Sequence, residues 1–278
     1  MAAVVVTGAA KGIGRATALY LDGKGFTVLA GVRSAADGDS LCQEASPRLQ
    51  PIMLDITNSA HIAQAAETVK RVVGQEGLAG LVNNAGIAVA MPLEFIPLDE
   101  FRRQMDVNVT AQLALTQAML PALRQAKGRI INVSSVGGRI AGSMLGAYHA
   151  SKFALEALTD VLRQELAPWQ VQVISVEPGG IATPIWETSV NLANRLEEQM
   201  PAQGKTYYAK AIAGARAFAE KTAKAGLAPE RVAEVIGKAL SAAQPRTRYV
   251  VGTDALIGSA ILARLPDRWR DRVMASRR

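Results

Sequence analysis

The chain has 278 residues, 49% of them hydrophobic and 20% charged, and its 31 basic against 24 acidic side chains give a formal net charge of +7. That balance excludes a disordered chain and allows one large core. A single cysteine, Cys42, excludes a disulfide framework or thiolate metal cluster, and two histidines, His61 and His149, are too few for an ordinary zinc site, so no resident metal is expected.

Strand and helix signals alternate from the first residues. Ala2–Thr7 is a continuous apolar, β-branched run, the mark of a parallel strand covered on both faces. A glycine-rich turn over 8–14 leads into helical spacing from Ile13 to Leu21, which stops at Gly23 and Gly25. Phe26–Val32 and Leu49–Leu54 are the second and third strands, the latter ending at Asp55. Asn58 or Ser59 then caps a helix whose Ile62, Ala65, Ala66, Val69 and Val73 recur every three or four residues. Leu78–Asn83 and Arg129–Ser134 are the fourth and fifth strands, separated by one long helix over about Leu98 to Gln125 with Asn108 in its middle. Tyr148–Ala167 is a helix with Leu155, Leu158, Leu162 and Leu166 on one face; Val171–Glu177 and Arg248–Val251 complete the strands. Only residues 184–227, helical and rich in Ala and Lys, break the rhythm.

This alternation predicts a single α/β domain over 1–278: a Rossmann-like, doubly wound, mostly parallel seven-stranded sheet. Residues 184–227 read as a helical substrate lid inserted before the last strand, and 255–278 as a basic C-terminal extension. Residues 261–278 hold six arginines (264, 268, 270, 272, 277 and 278) against Asp267 and Asp271. We read them as a solvated helix end in preference to a membrane-surface contact, and expect no nucleic-acid partner. The opening residues lack the basic segment of a secretory signal, and the apolar run Ala255–Ala263 is far short of the ~20 residues that span a bilayer. A soluble, cytoplasmic protein is expected.

The first turn reads Thr7-Gly8-Ala9-Ala10-Lys11-Gly12-Ile13-Gly14. Glycines at the end of a strand let the backbone approach a pyrophosphate, and the following helix offers its positive N-terminal end. Tyr148 and Lys152 lie four apart near the start of a helix and share one face. A free phenol, with a pKa near ~10, handles protons poorly at neutral pH, and a nearby cation favours the phenolate. Ser135 follows the fifth strand, at the strand ends where open α/β sheets bind ligands. Each alone has a structural explanation: an ordinary turn, a helix-face tyrosine, a surface lysine, a turn serine. Their combination points to chemistry.

Over about residues 2–183 these features resemble the short-chain dehydrogenases/reductases. TGAAKGIG matches the family's TGxxxGxG, Asn83-Asn84-Ala85-Gly86 its NNAG, Asn108 in DVNVT its helix asparagine, and Ser135 in NVSSVGG its active-site serine. Tyr148 and Lys152 in YHASK match its YxxxK pair, and Pro178, Gly179, Ile181 and Thr183 its PG-x-x-x-T segment. Three residues between the first glycines and three between Tyr148 and Lys152 set aside the extended and enoyl-reductase branches. The resemblance implies a dinucleotide held by Gly8, Ala10, Lys11, Gly12, Ile13, Gly14, Asn84, Ala85 and Gly86. It implies a carboxamide seat at Pro178, Gly179, Ile181 and Thr183. Tyr148 becomes the general acid/base, Lys152 lowers its pKa and bonds the ribose, Ser135 donates to the substrate oxygen, and Asn108 anchors a water between Lys152 and solvent. A homodimer or homotetramer built through the long helices after the fourth and fifth strands is also implied.

Eighteen residues beyond Gly14, where NAD-preferring members carry an acid, stands Val32, followed by Arg33. With Lys11 in the turn, two cations and no carboxylate favour NADP(H) over NAD(H), although Arg33 stacking on adenine is an open alternative. Asp55 is expected to accept from the adenine amino group, with Ile56 packed nearby. Met144, Leu145 and Trp186, with Ser135 and Tyr148, are expected around an apolar small-molecule substrate. It would be lipid-, steroid- or retinoid-like, as in the steroid- and retinol-dehydrogenase-like branch; ordinary lid packing explains the same residues. His149 and His61 are expected to be structural, His61 on a helix surface, and Cys42 inert. The reading is an NADP(H)-dependent oxidoreductase interconverting a carbonyl and an alcohol. The alternatives are the same chemistry with NAD(H), or a non-catalytic dinucleotide-binding regulator.

Overall fold

The computed structural model describes residues 2–275; Arg277 and Arg278 of the basic extension lie outside them. The strands are β1 (Ala3–Val6), β2 (Thr27–Val32), β3 (Leu49–Met53), β4 (Gly80–Asn83), β5 (Arg129–Val133), β6 (Gln172–Pro178) and β7 (Arg248–Val251). They form one sheet in the order β3-β2-β1-β4-β5-β6-β7, every neighbouring pair parallel. The helices are α1 (Gly12–Gly23), α2 (Ala35–Cys42), α3 (Ser59–Val73), α4 (Leu98–Met105), α5 (Ala111–Ala126) and α6 (Gly146–Glu165). There follow α7 (Ile185–Glu198), α8 (Ala202–Ala225), α9 (Pro229–Ser241), α10 (Thr253–Ala260) and α11 (Asp267–Ala275). This is a Rossmann-like sheet, with its strand order reversing between β1 and β4.

The period-two alternation of side chains divides each strand between two cores. On β1, Val4 and Val6 join Leu21 of α1 and Val232 and Ile236 of α9 on one face. Val5 joins Ile62 and Val69 of α3 and Leu115 and Leu123 of α5 on the other. Each fully buried leucine or valine contributes about 1.5–3 kcal/mol by leaving water, so a strand covered twice needs no polar face. A third, smaller cluster lies under α7 and α8, where Leu196, Met200 and Ile212 meet Val89, Met91 and Met144.

The long helix expected over 98–125 is two. Between α4 and α5 the backbone widens into a π-helical turn, Asp106–Thr110, with Asn108 fully buried inside it. Hydrophobic periodicity does not show this, because one inserted residue rotates the apolar face without ending the helix. The third strand ends at Met53 rather than Leu54. Two helices escape the sequence pattern: α2, only eight residues long and capped by the Ser34 side chain on Asp37 N at 3.2 Å, and α9, which opens on Pro229. His61 is more than a helix-surface residue: its Nδ1 accepts the backbone N–H of Asp55 at 3.2 Å and ties α3 to the end of β3. Among the described residues, no helix is long and apolar enough to cross a membrane.

Candidate active site

The carboxyl ends of β1 and β4 are fastened together before any ligand arrives. Thr7 Oγ1 accepts from the backbone N–H groups of Asn84 and Ala85, both at 2.9 Å, and donates to Val82 O at 3.2 Å. Asn84 Nδ2 donates to Thr7 O at 2.9 Å. Beside it, Asn83 Nδ2 donates to Asn132 Oδ1 (2.9 Å) and Thr116 Oγ1 (3.0 Å), and Asn132 Nδ2 to Thr159 Oγ1 (2.8 Å). This buried polar chain joins β4 and β5 to α5 and α6, and leaves the buried Asn83 Oδ1 without a partner.

Over this platform Gly8 and Gly12 adopt φ of +63° and +57°, which other residues reach only with strain. A Cβ at Gly14 would clash with the Gly8 carbonyl oxygen and stand 2.5 Å from Asn84 Nδ2. The turn is therefore pulled tight against β4, leaving α1 to present its N-terminus outward. Lys11 is exposed in the turn, Ala10 and Ile13 are half-buried, and Gly86 is exposed at the end of β4. Thr183 lies against Gly12, 3.2 Å from where a Cβ would be. The segment carrying it is pinned by Gly179 N to Val251 O (2.9 Å) and by Ile181 pairing with Leu227. Glycine turn, Asn84–Gly86 and Pro178–Thr183 thus form the sides of one cradle, which fits a dinucleotide.

At the far end of the cradle Arg33 is exposed just past β2, with buried Val32 before it. Asp55 Oδ1 accepts from Thr57 N (2.9 Å) and Thr57 Oγ1 (2.7 Å). These bonds, with the charge of Arg33, hold its carboxyl below the usual range against the opposing effect of burial. Ile56 is 5% exposed and packs in the core cluster that also holds Ala85. Ser34, which sequence reasoning passed over, stands beside Arg33 as the α2 cap. Its Ser-x-x-Asp spacing to Asp37 was the available signal.

The proton-handling groups meet at the start of α6. Ser135 Oγ accepts from Gly137 N at 3.0 Å, which fixes the hydroxyl at the end of β5, and Ser135 is the neighbour that lowers the pKa of the Tyr148 phenol. Lys152 Nζ lies 5.8 Å from the Tyr148 ring centroid and donates to Val133 O at 2.9 Å. Burial pushes the Tyr148 phenol above its ordinary pKa, and only Ser135 draws it down. Lys152 is not among the groups that shift the phenol here; loss of water is the largest effect. Burial also lowers the Lys152 pKa to about 8, with the charge of Glu156 opposing the drop.

Asn108 reaches this cluster indirectly. Its Oδ1 accepts from Ile87 N (2.9 Å), and its Nδ2 donates to Ile87 O (3.0 Å) and Ser151 Oγ (3.0 Å), while Ser151 Oγ donates to Tyr148 O (2.7 Å). The side chain ties the loop after β4 to the helix that carries Tyr148 and Lys152. His149 bonds Gly137 O through Nδ1 at 2.9 Å and bears edge-on on the Tyr148 ring, which makes it a brace.

A cavity of about 530 Å³ opens beside the first turn of α6, between the loop after β4 (Pro92, Leu93), Met144 and Gly146, and Tyr207 and Tyr208 of α8. Met144 holds φ of +72°, unusual for a side chain this size, while its carbonyl accepts from Met91 N at 2.8 Å. Of the residues expected around the substrate only Met144 lines this cavity; Ser135, Leu145, Tyr148 and Trp186 do not. Leu145 pairs with Met91, and Trp186 donates to Ile181 O at 2.7 Å and packs edge-on against Phe218. Pro92, Leu93 and Lys210 line the cavity but carry no recognisable sequence signal.

Known proteins place the chain. Retinol dehydrogenase 5 of Mus musculus is 39% identical over 277 residues, spanning 98% of this chain and 87% of that protein. The NADPH-dependent 3-dehydrocapnine reductase of Ornithobacterium rhinotracheale is 35% identical over 274 residues, 97% and 94% of the two chains. A crystal structure of a short chain dehydrogenase from Burkholderia cenocepacia in complex with NADP superposes with a TM-score of 0.72 at 28% identity, over 98% of this chain and 96% of that one. The profile of the family described as short chain dehydrogenase matches residues 2–193, and it is to this family that the chain belongs.

Proposed function

We propose that the chain is an NADP(H)-dependent oxidoreductase that interconverts a carbonyl and an alcohol on an apolar substrate, with Tyr148 as the general acid/base. The observation that carries this reading is the Lys152 ammonium, held by Val133 O at 2.9 Å and 5.8 Å from the centroid of the Tyr148 ring, at the end of the strand that carries Ser135. When bound, the nicotinamide supplies or accepts the hydride. In reduction Tyr148 gives its proton to the nascent alcohol oxygen, and in oxidation it takes that proton back. Ser135 donates to the same oxygen and stabilises the charge that gathers there. Lys152, charged below a pH of about 8, supplies the positive potential that a buried phenolate needs. Asn108 and Ser151 hold these groups in register.

Arg33 and Lys11, both exposed at the cradle with no carboxylate in the Val32 position, suit a 2′-phosphate. The relatives named for NADPH and NADP are in keeping with this preference. The cavity is lined mainly by apolar side chains. One relative is named for retinol, and together these favour a lipid-, steroid- or retinoid-like substrate over a sugar or a charged metabolite. We place the protein in the cytoplasm, a reading with which the exposed thiol of Cys42 is compatible. We assign it a homodimeric or homotetrameric state: Phe153, Ala157 and Val161 form an exposed apolar stripe along α6, with Phe153 45% and Val161 47% exposed.

A panel of apolar ketones and secondary alcohols, followed by NADPH absorbance, tests the reading. Turnover of at least one carbonyl with NADPH preferred to NADH is expected. Tight NADPH binding with no turnover across the panel would instead favour a dinucleotide-binding regulator.

A further inference from the structure

Farther along α6 from the Tyr148–Lys152 pair, side chains of α6, β6 and β7 form a second group of charges that the mechanism above does not use. Glu156 is buried one helical turn beyond Lys152. Its Oε1 accepts from Ser175 Oγ at 2.6 Å, and its Oε2 lies 3.2 Å from the Arg248 guanidinium. Glu177, wholly buried on β6, takes Arg139 at 3.0 Å and Arg248 at 3.2 Å on Oε1. Its buried Oε2 has no hydrogen-bond partner. Arg248 is drawn further by Asp160 at 2.6 Å. Such a cluster is costly to bury, and its retention calls for a role.

The charges facing Lys152 can be named element by element. From α6 itself come Tyr148 and Glu156; Arg139 from the turn after β5, Glu177 from β6 and Arg248 from β7 are joined to Glu156 in one network of ion pairs. Asn108 and Ser151 on the remaining side are neutral. Arg139 and Arg248 both bind Glu177, and Arg248 also pairs with Asp160, so Glu156 shares its guanidinium with two other carboxylates. Lys152 in turn donates to a neutral carbonyl, Val133 O, and the charge opposing its loss of water is that of Glu156.

We propose that Glu156 is a positioning residue for the reaction: anchored by Ser175 and Arg248, its carboxylate lies one helical turn from Lys152 in the same buried wall and keeps that ammonium charged. The role rests on the reading of Lys152 given above, but its test does not require turnover. Lysine Nζ titration by ¹⁵N NMR in the protein without nucleotide, with Lys152 assigned by its loss in Lys152→Arg, reads the charge directly. The wild-type midpoint is expected at about 8. Glu156→Gln, equal in size and still able to bond Ser175, is expected to lower it by about one pH unit. The alkaline limb of kcat/KM for alcohol oxidation should fall by the same amount while the acidic limb stays, whereas a merely structural role would scale the whole profile without moving either limb. A folded Glu156→Gln protein with midpoint and limb unmoved overturns the proposal. If that variant does not fold, Ser175→Ala decides: loss of the 2.6 Å bond should move the midpoint down by a smaller amount, and an unmoved midpoint overturns the proposal equally. Should the wild type turn over no alcohol, the functional reading fails while the NMR midpoints still judge Glu156.

Discussion

Single atoms decide the cofactor cradle, and two substitutions test it. Gly14 has no room for a methyl group between the Gly8 carbonyl and Asn84 Nδ2. Gly14→Ala should abolish NADPH affinity by pushing the turn off β4, and should destabilise the fold by about 1–3 kcal/mol through overpacking; fluorescence titration and thermal denaturation measure the two effects. Arg33 is a charged donor at the end of β2 with Val32, not an acid, before it. Arg33→Ala should raise the KM for NADPH by about 10–100-fold, the worth of a charge-assisted bond, and leave the KM for NADH nearly unchanged. Equal losses for both nucleotides would mean that Arg33 stacks on adenine instead. These positions were legible in the sequence because a turn glycine and an exposed cation are local features. The rise in the Tyr148 pKa was not legible, since it depends on how much water the folded surroundings remove.

At the scale of elements, the break between α4 and α5 does the work that a continuous helix could not. The wide turn Asp106–Thr110 turns Asn108 inward, where it closes three hydrogen bonds to Ile87 and Ser151. Asn108→Ala would strand the Ile87 amide, costing about 1–3 kcal/mol, while the Ile87 carbonyl keeps Gln104 Nε2 at 2.8 Å. It should also loosen α6 around Tyr148, so kcat should fall while the KM for NADPH changes little. Denaturant unfolding and steady-state kinetics check the pair. The strands and the amphipathic α3 and α6 follow from period and apolarity. The π-turn, the short α2 and the Glu156–Glu177–Arg248 cluster do not, because each is set by contacts between residues far apart in sequence: Arg248 meets Glu156 across 92 positions.

For the molecule as a whole, strand order follows from the alternation of parallel units. Assembly depends instead on what the surface of α6 leaves exposed. Phe153→Glu would place a charge on the apolar stripe at its largest side chain. Sedimentation velocity should find the wild type as a dimer or tetramer and the variant as a smaller species; a monomeric wild type would remove the stripe as an assembly surface. The pH profile belongs to this scale too, since burial by the whole fold brings Lys152 to about 8. Activity that needs the ammonium should be full below that pH and decline above it as the lysine loses its proton.

The most direct measurement is a single-turnover reduction of an apolar ketone by NADPH in Tyr148→Phe, with NADPH affinity determined on the same protein. The phenol oxygen is the proton donor in this account, so its removal should slow the step by about 10²–10⁴-fold while NADPH binds as in the wild type. A Tyr148→Phe protein that reduces the ketone at the wild-type rate would contradict it.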